Sequence, residues 1–214
     1  MIYITGANGW LGLNLITNIV NGNSSRWGLE KNKIHALIQK GSSETKLRNI
    51  SNDIEVHYGD IRNIKSLNNF LSNSEDSYLF HIAGIIHPHK IADFFSINKI
   101  GTENLINSAI EHSIKRIVIV SSNSPFGSNI TSKDLFDENS NYNPYMNYGK
   151  SKMEMEIIAN KKFKTGYIDL TIIRAPWFYG PFQPARQKLF FEMIKTGKVP
   201  IVGNGENIRS MAYT

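Results

Sequence analysis

The chain has 214 residues, 41% hydrophobic and 20% charged, enough for one large domain with a buried core and unlike a disordered, collagen-like or coiled-coil protein. Its 24 Lys plus Arg outweigh 18 Asp plus Glu for a net charge of +6, but the basic residues are scattered, so no nucleic-acid partner is expected. No apolar run approaches a membrane span and Met1 leads directly into a strand-like segment, so no membrane partner and a cytoplasmic location are expected; with no cysteine, disulfides, thiolate metal sites and a cysteine nucleophile are excluded.

In chain order, Ile2 to Thr5 reads as a strand and Leu11 to Val20 as an amphipathic helix. Further short apolar runs follow at Ile34 to Ile38, Ile54 to Tyr58, Tyr78 to Ile82, Ile117 to Val120 and Leu170 to Ile173. Near-continuous apolar strands alternating with longer amphipathic stretches predict an α/β fold, a doubly wound parallel sheet with helices on both faces. Helical spacing of Ile100, Leu105, Ile106, Ala109 and Ile110 predicts a helix over Asn98 to His112, and Met153, Met155, Ile157 and Ile158 predict another over Tyr148 to Ala159. The polar stretch Asn123 to Pro144 reads as a site loop.

Thr5-Gly-Ala-Asn-Gly-Trp-Leu-Gly12 joins the first strand to the first helix. Glycines at 6, 9 and 12 permit a tight turn and close backbone approach to a pyrophosphate at a helix N-terminus. This puts Gly6, Asn8, Gly9, Trp10, Leu11 and Gly12 against a dinucleotide in a Rossmann-like lobe. At the end of the second strand stand Gln39, Lys40, Gly41 and Ser42, with no carboxylate to hold a ribose 2′-OH. NAD and NADP both stay open, and Lys40 and Ser42 favour NADP; a plain surface lysine is the alternative. Asp60, with Ile61, follows the third strand, where its carboxylate could accept an adenine amino proton or simply serve a turn.

Tyr148 and Lys152 lie four residues apart, on one face of their helix. Phenol is a poor base at its reference pKa of about 10, but a neighbouring ammonium favours phenolate. Ser121-Ser122 ends the Ile117 to Val120 strand at the carboxyl edge, where open α/β sheets bind ligands.

Together these motifs resemble the extended branch of the short-chain dehydrogenase/reductase family, the NAD-dependent epimerase/dehydratase type, over the whole chain. TGANGWLG, GDIR, Phe80-His-Ile-Ala-Gly84, Asn98 with Gly101-Thr102, Val120-Ser-Ser122 with Phe126-Gly127, YGKSK, and Arg174-Ala-Pro176 with Tyr179-Gly180-Pro181 occur in the family's order. The resemblance implies hydride transfer at a sugar carbinol, with Tyr148 as acid/base, Lys152 supporting the phenolate and the nicotinamide ribose, and Ser122 donating to the reacting oxygen. It also implies cofactor contacts at Ala83, Gly84 and Ala175, a bracing role for Asn98, structural hydroxyls at Ser121 and Ser124, and a nucleotide-sugar substrate touching Ser122, Asn123 and Tyr148. Val202 to Tyr213 resembles the segment whose arginine grips a pyrophosphate, which points to Arg209; a surface arginine is the alternative.

Dehydratases of this family follow the catalytic hydroxyl with an Asp-Glu pair, whereas Asn123-Ser124 stands here, which disfavours dehydration and leaves epimerisation, oxidation or reduction. A non-catalytic dinucleotide sensor, or a reductase of steroid-like or small carbonyl substrates, are the other readings; the serine, tyrosine and lysine set speaks for an enzyme. The expected organisation is a dinucleotide-binding domain over 1–176 and the start of a substrate-binding region over 177–214, an incomplete lobe that stops where relatives continue. The helices bearing Asn98 to His112 and Tyr148 to Ala159 resemble the pair that makes a homodimer interface in the family, with Ile110, Met153 and Met155 as its apolar residues. Trp177, Phe178, Phe190 and Phe191 are expected to lack partners and be partly exposed.

Overall fold

A computed structural model describes residues 1–22, 28–129, 131, 133–201 and 203–214. Val202, at the head of the arginine segment, and Ile130 and Ser132, within the polar stretch, lie outside the described residues. The strands β1 (Ile2–Thr5), β2 (Ile34–Ile38), β3 (Glu55–Tyr58), β4 (Tyr78–His81), β5 (Arg116–Ser122) and β6 (Asp169–Ala175) form one sheet in the order β3-β2-β1-β4-β5-β6. Every pairing in it is parallel. The order reverses between β1 and β4, which opens a crevice at the carboxyl ends of these strands.

Period-two alternation builds the core on both sides of β1 and β2. Ile2, Ile4, Ile34, Ala36 and Ile38 pack with Leu13, Ile16 and Ile19 of helix α1 (Trp10–Val20). Tyr3 and Leu37 face the other way, where Leu67 and Phe70 come from α3 (Ile64–Leu71), after the short α2 (Thr45–Arg48). The same side holds Leu105, Ile106 and Ala109 of α5 (Thr102–Glu111) and Met155 and Ala159 of α6 (Asn147–Phe163). Central strands are apolar throughout because both faces are covered. The edge strands differ: β3 is only partly buried and β6 alternates exposed with half-buried residues.

The helix expected from Asn98 begins earlier, because α4 (Ile91–Asp93) runs through a π-helical stretch, Phe94–Gly101, directly into α5. That stretch buries Asn98 and Gly101, and a Cβ on Gly101 would sit 2.7 Å from the Ile61 side chain. Met155, expected on an outer face, belongs to the core, and Ile110 packs partly against it; the apolar residues left outside on these helices include Ile100 and Ile157, 43% and 49% exposed.

Residues 177–214 form β7 (Trp177–Tyr179), α7 (Ala185–Lys195) and β8 (Met211–Tyr213), with β7 and β8 paired in parallel as a separate two-stranded sheet. The aromatics here do find partners. Trp177 packs on Phe190 at 4.9 Å and on Phe191 at 6.5 Å between ring centres, Phe178 meets Trp10, and all four remain half-exposed. Asn14 of α1 donates to Pro181 O and to Thr214 Oγ1, both at 2.8 Å, tying this layer to the main sheet.

One buried carboxylate organises the polar loop beyond β5. Glu156 on α6 is fully buried and accepts from Ser121 Oγ, from Tyr142 Oη at 2.9 Å and from Arg174 Nε at 3.1 Å. Arg174 lies 4.3 Å from the Phe126 ring centre and donates to the Asp137 and Glu138 carbonyls. Removing one partner of such a buried pair leaves the other uncompensated, so Glu156→Ala is expected to lower stability by about 3 kcal/mol, measured as a drop in the urea midpoint; an unchanged midpoint would show that the pair is not what holds the loop.

Candidate active site

A cavity of about 1380 Å³ opens at the carboxyl edge of the sheet. Its first wall is the glycine turn, where Gly6, Asn8, Gly9, Trp10 and Leu11 all face the space. Gly6 has φ +69°, and a Cβ there would lie 2.7 Å from Ala83 N, so this position needs glycine on both counts. Gly12 is not part of the cavity wall. A Cβ on it would come 2.3 Å from Gly6 O, so its part is to let the turn close on the helix behind it. α1 begins at Gly9 with no side-chain cap and no acidic residue in its first turn, which leaves unpaired N–H groups toward the cavity.

A second wall comes from the ends of β2, β3 and β4. Gln39 and Ser42 line it, while Lys40 stays exposed outside. Asp60 and Ile61 reach the cavity, and the Asp60 carboxylate is bridged to Arg62 Nη2 at 2.6 Å, whose hydrogen bond holds its pKa below the usual carboxylate value. Ala83, Gly84 and Ala175 also line the space.

The floor gathers Ser122, Asn123, Tyr148 and Lys152 from β5, the loop after it and α6. Ser122 Oγ is 3.0 Å from Ser124 Oγ and accepts from Ser124 N at 3.1 Å. Lys152 Nζ donates to Val120 O at 2.8 Å and contacts Met155 Sδ at 3.2 Å; burial lowers its pKa to about 8, opposed by the Glu156 charge. Burial raises the Tyr148 phenol, and a hydrogen bond with Ser122 works the other way. Asn98 sits behind the floor: its Oδ1 accepts from Ile85 N at 2.8 Å and its Nδ2 donates to Ile85 O and Ser151 Oγ, both at 3.0 Å.

The remaining wall comes from residues 177–214. Arg209 lies there, its guanidinium 4.8 Å from the Trp177 ring centre. Arg186, in the first turn of α7, also lines the cavity and contacts His87 Nε2. Sequence reasoning missed Arg186 and His87, although Leu189, Phe190, Met193 and Ile194 carry the helical spacing that marks α7.

A sequence profile of the NAD dependent epimerase/dehydratase family matches residues 2–214. The chain belongs to this family. It is 43% identical over its whole length to the uncharacterized protein y4nL of Sinorhizobium fredii, 60% of which it covers. It is also 28% identical, over 72% of its length and 46% of that protein, to an N-acetyl-α-D-glucosaminyl-diphospho-ditrans,octacis-undecaprenol 4-epimerase of Escherichia coli O157:H7. The chain therefore spans between about half and three fifths of these relatives. Its fold matches DesIV, a dTDP-glucose 4,6-dehydratase of Streptomyces venezuelae with NAD bound, at a TM-score of 0.84 and 22% identity over 99% of this chain and 67% of that one. A UDP-glucose 4-epimerase of Thermotoga maritima with UDP-glucose gives 0.79 at 21% identity, over 99% of this chain and 69% of that one. The doubly wound fold and the epimerase/dehydratase resemblance read from the sequence are both borne out. Among the described residues, no helix is long and apolar enough to cross a membrane.

Lys152 has a pKa of about 8 in the folded protein against 10.5 ordinarily. Between those values the unfolded chain keeps a proton that the folded chain has released, so stability rises with pH across the window. Relative to Lys152→Met, the unsubstituted protein is expected to gain up to about 3 kcal/mol from pH 8 to 10.5. Urea unfolding at several pH values checks this, and parallel profiles for the two proteins would refute it.

Proposed function

We propose that this chain carries the cofactor site and the proton-transfer site of an NAD(P)-dependent epimerase or oxidoreductase acting on a sugar attached to a nucleotide. The observation that carries this reading is the meeting of Ser122, Tyr148 and Lys152 with the glycine turn in one cavity. The turn fits a dinucleotide: the start of α1 offers uncapped N–H groups to a pyrophosphate, Gly9 keeps the approach clear, and Ala83, Gly84 and Ala175 present small or absent side chains. Once bound there, a nicotinamide dinucleotide supplies the acceptor and donor of hydride.

The protein's own residues handle the proton. Tyr148 takes it from the substrate hydroxyl as the carbinol is oxidised and returns it on reduction. Its phenol is held above the usual value by burial, so phenolate depends on nearby positive charge, and Lys152, one helical turn on, provides it. Ser122, oriented by Ser124, donates to the reacting oxygen and fixes its position. Because Ser124 is committed to Ser122 and Asn123 carries no carboxylate, the acid and base needed to eliminate water are absent beside the hydroxyl among the described residues. Epimerisation or simple oxidation and reduction fits this floor better than dehydration. Arg209 and Arg186 present guanidinium forks suited to a diphosphate. Gln39 and Ser42 in the wall, with Lys40 beside them and no carboxylate, favour NADP over NAD; Lys40→Glu is expected to shift preference toward NAD. On the π-helical stretch before α5 and on α6 the exposed Ile100 and Ile157 suit a homodimer, to be seen as twice the 24.2 kDa chain mass in light scattering.

Mass spectrometry of ligands retained by the purified protein would report cofactor and substrate class together. Gly9→Val is expected to abolish NAD(P)H binding in titration calorimetry, since a Cβ there already lies 3.2 Å from Gly6 O and the branch points into the cradle. Unchanged affinity would remove the cofactor assignment. Tyr148→Phe should cut kcat by roughly 100- to 10,000-fold with cofactor affinity nearly intact; unaltered turnover would overturn the mechanism while leaving cofactor binding standing.

A further inference from the structure

Away from the cavity, on the α3 side of the sheet, the pairing of β2 with β3 brings three potential ligands together. His35 is the register partner of Glu55 and Leu37 that of His57, so alternation places His35, Glu55 and His57 on one face. His35 Nδ1 lies 3.1 Å from His57 Nε2 and 3.9 Å from Glu55 Oε1, and His57 Nε2 lies 3.5 Å from Glu55 Oε1. A tetrahedral ion with bonds of about 2.0–2.1 Å sets its ligand atoms about 3.3–3.4 Å apart. The three separations straddle that value, so shifts of a few tenths of an ångström would close them on a shared centre. Among the described residues, this is the group of His, Asp and Glu side chains that meets such a spacing.

We propose that His35, Glu55 and His57 bind a divalent transition cation of the zinc type, which staples the edge strand β3 to β2. Two imidazoles and one carboxylate suit such borderline cations rather than calcium or magnesium. Three protein ligands leave a fourth position for water. The surroundings prepare each ligand. The His35 ring is stacked on Tyr3 at 4.4 Å with 10° between planes, which holds its orientation. His35 Nε2 is buried without a partner, so no second hydrogen bond pins the proton to Nδ1. His57 is braced edge-on by Phe70, with 5.3 Å between ring centres. Lys33 Nζ occupies Glu55 Oε2 at 2.5 Å, fixing the carboxylate while leaving Oε1 toward the histidines. The side chains of His57 and Glu55 are 25% and 40% exposed, so an ion can enter from solvent.

Zinc(II) chloride alone, titrated calorimetrically into the full chain, tests this. Expected are one ion per chain with a micromolar or tighter Kd, a rise in thermal midpoint of several degrees and, with cobalt(II), visible absorption of tetrahedral intensity. His57→Ala, at a partly exposed position, should weaken binding at least tenfold and remove the cobalt bands, with its far-ultraviolet circular dichroism unchanged. Glu55→Gln should do the same with a smaller loss, and His89→Ala, on an exposed loop, should change nothing. Absence of stoichiometric binding, or binding undiminished in a folded His57→Ala protein, would overturn the proposal. None of these readouts depends on the dinucleotide or on turnover.

Discussion

The Lys152 ammonium, buried against the Val120 carbonyl at 2.8 Å, fastens α6 to the end of β5. An unpaired cation there would be strongly disfavoured, so the helix cannot slide along the strand without losing this contact. Fixing it fixes much else. Tyr148 sits one turn earlier on the same face of α6, and therefore over the strand end. Alternation along β5 sends Ile117, Ile119 and Ser121 toward α6, where Ser121 meets Glu156, while Ser122 emerges at the edge beside Tyr148. The downward shift of Lys152 and the upward shift of Tyr148 share one cause, burial, which disfavours the charged form of each and so moves their proton affinities apart.

A second constraint runs through the sheet behind the floor. Thr102 Oγ1 donates to Asn98 O at 2.7 Å, so its oxygen must accept from His81 Nε2, also at 2.7 Å. His81 Nδ1 is then the acceptor from Thr5 Oγ1 at 2.7 Å, and Thr5 Oγ1 is left to accept from Ala83 N at 3.3 Å. Each proton in the chain has one consistent direction, which requires neutral His81; burial, aided by the Lys152 charge, brings it to about 3. The network links the residue before the glycine turn, the exit of β4 and the helix carrying Asn98. Three segments far apart in sequence thus hold one geometry around the cavity.

What was legible in the sequence follows from how local each constraint is. β1 and β2 announce themselves because both faces are covered, and Gly6 because its positive φ and the approach of Ala83 leave no room for a side chain. The shared helix face of Tyr148 and Lys152 and the strand end at Ser121-Ser122 were readable locally, whereas the choice of Ser122 over Ser121 rested on the family resemblance. Lys40 and Gly12 do not line the cavity, since a motif gives order along the chain and not which way a side chain leaves it. Met155 was assigned to an outer face because helical spacing alone does not say how wide the apolar stripe must be when one helix packs on a strand and on another helix. β7 and β8, three residues each, are too short for any periodicity to declare them. His35 and His57 stand 22 residues apart and meet only through strand register.

The distribution of charge around the cavity bears on what it can accept. Asp60 is the only carboxylate in the described wall, and Arg62 already neutralises it. Against it stand Lys152 in the floor and Arg186 and Arg209 in the late segment. A cavity so biased favours anions, in keeping with the dinucleotide and diphosphate-bearing substrate proposed for it. The two arginines differ in how they are held. Arg209 lies on the face of Trp177, which orients its planar fork while leaving the N–H edges free for bidentate contact. Arg186 is engaged with His87, on the loop after β4. That contact joins the late segment to the β4 side of the cavity, the same side on which Asn98 holds the Ile85 backbone in place.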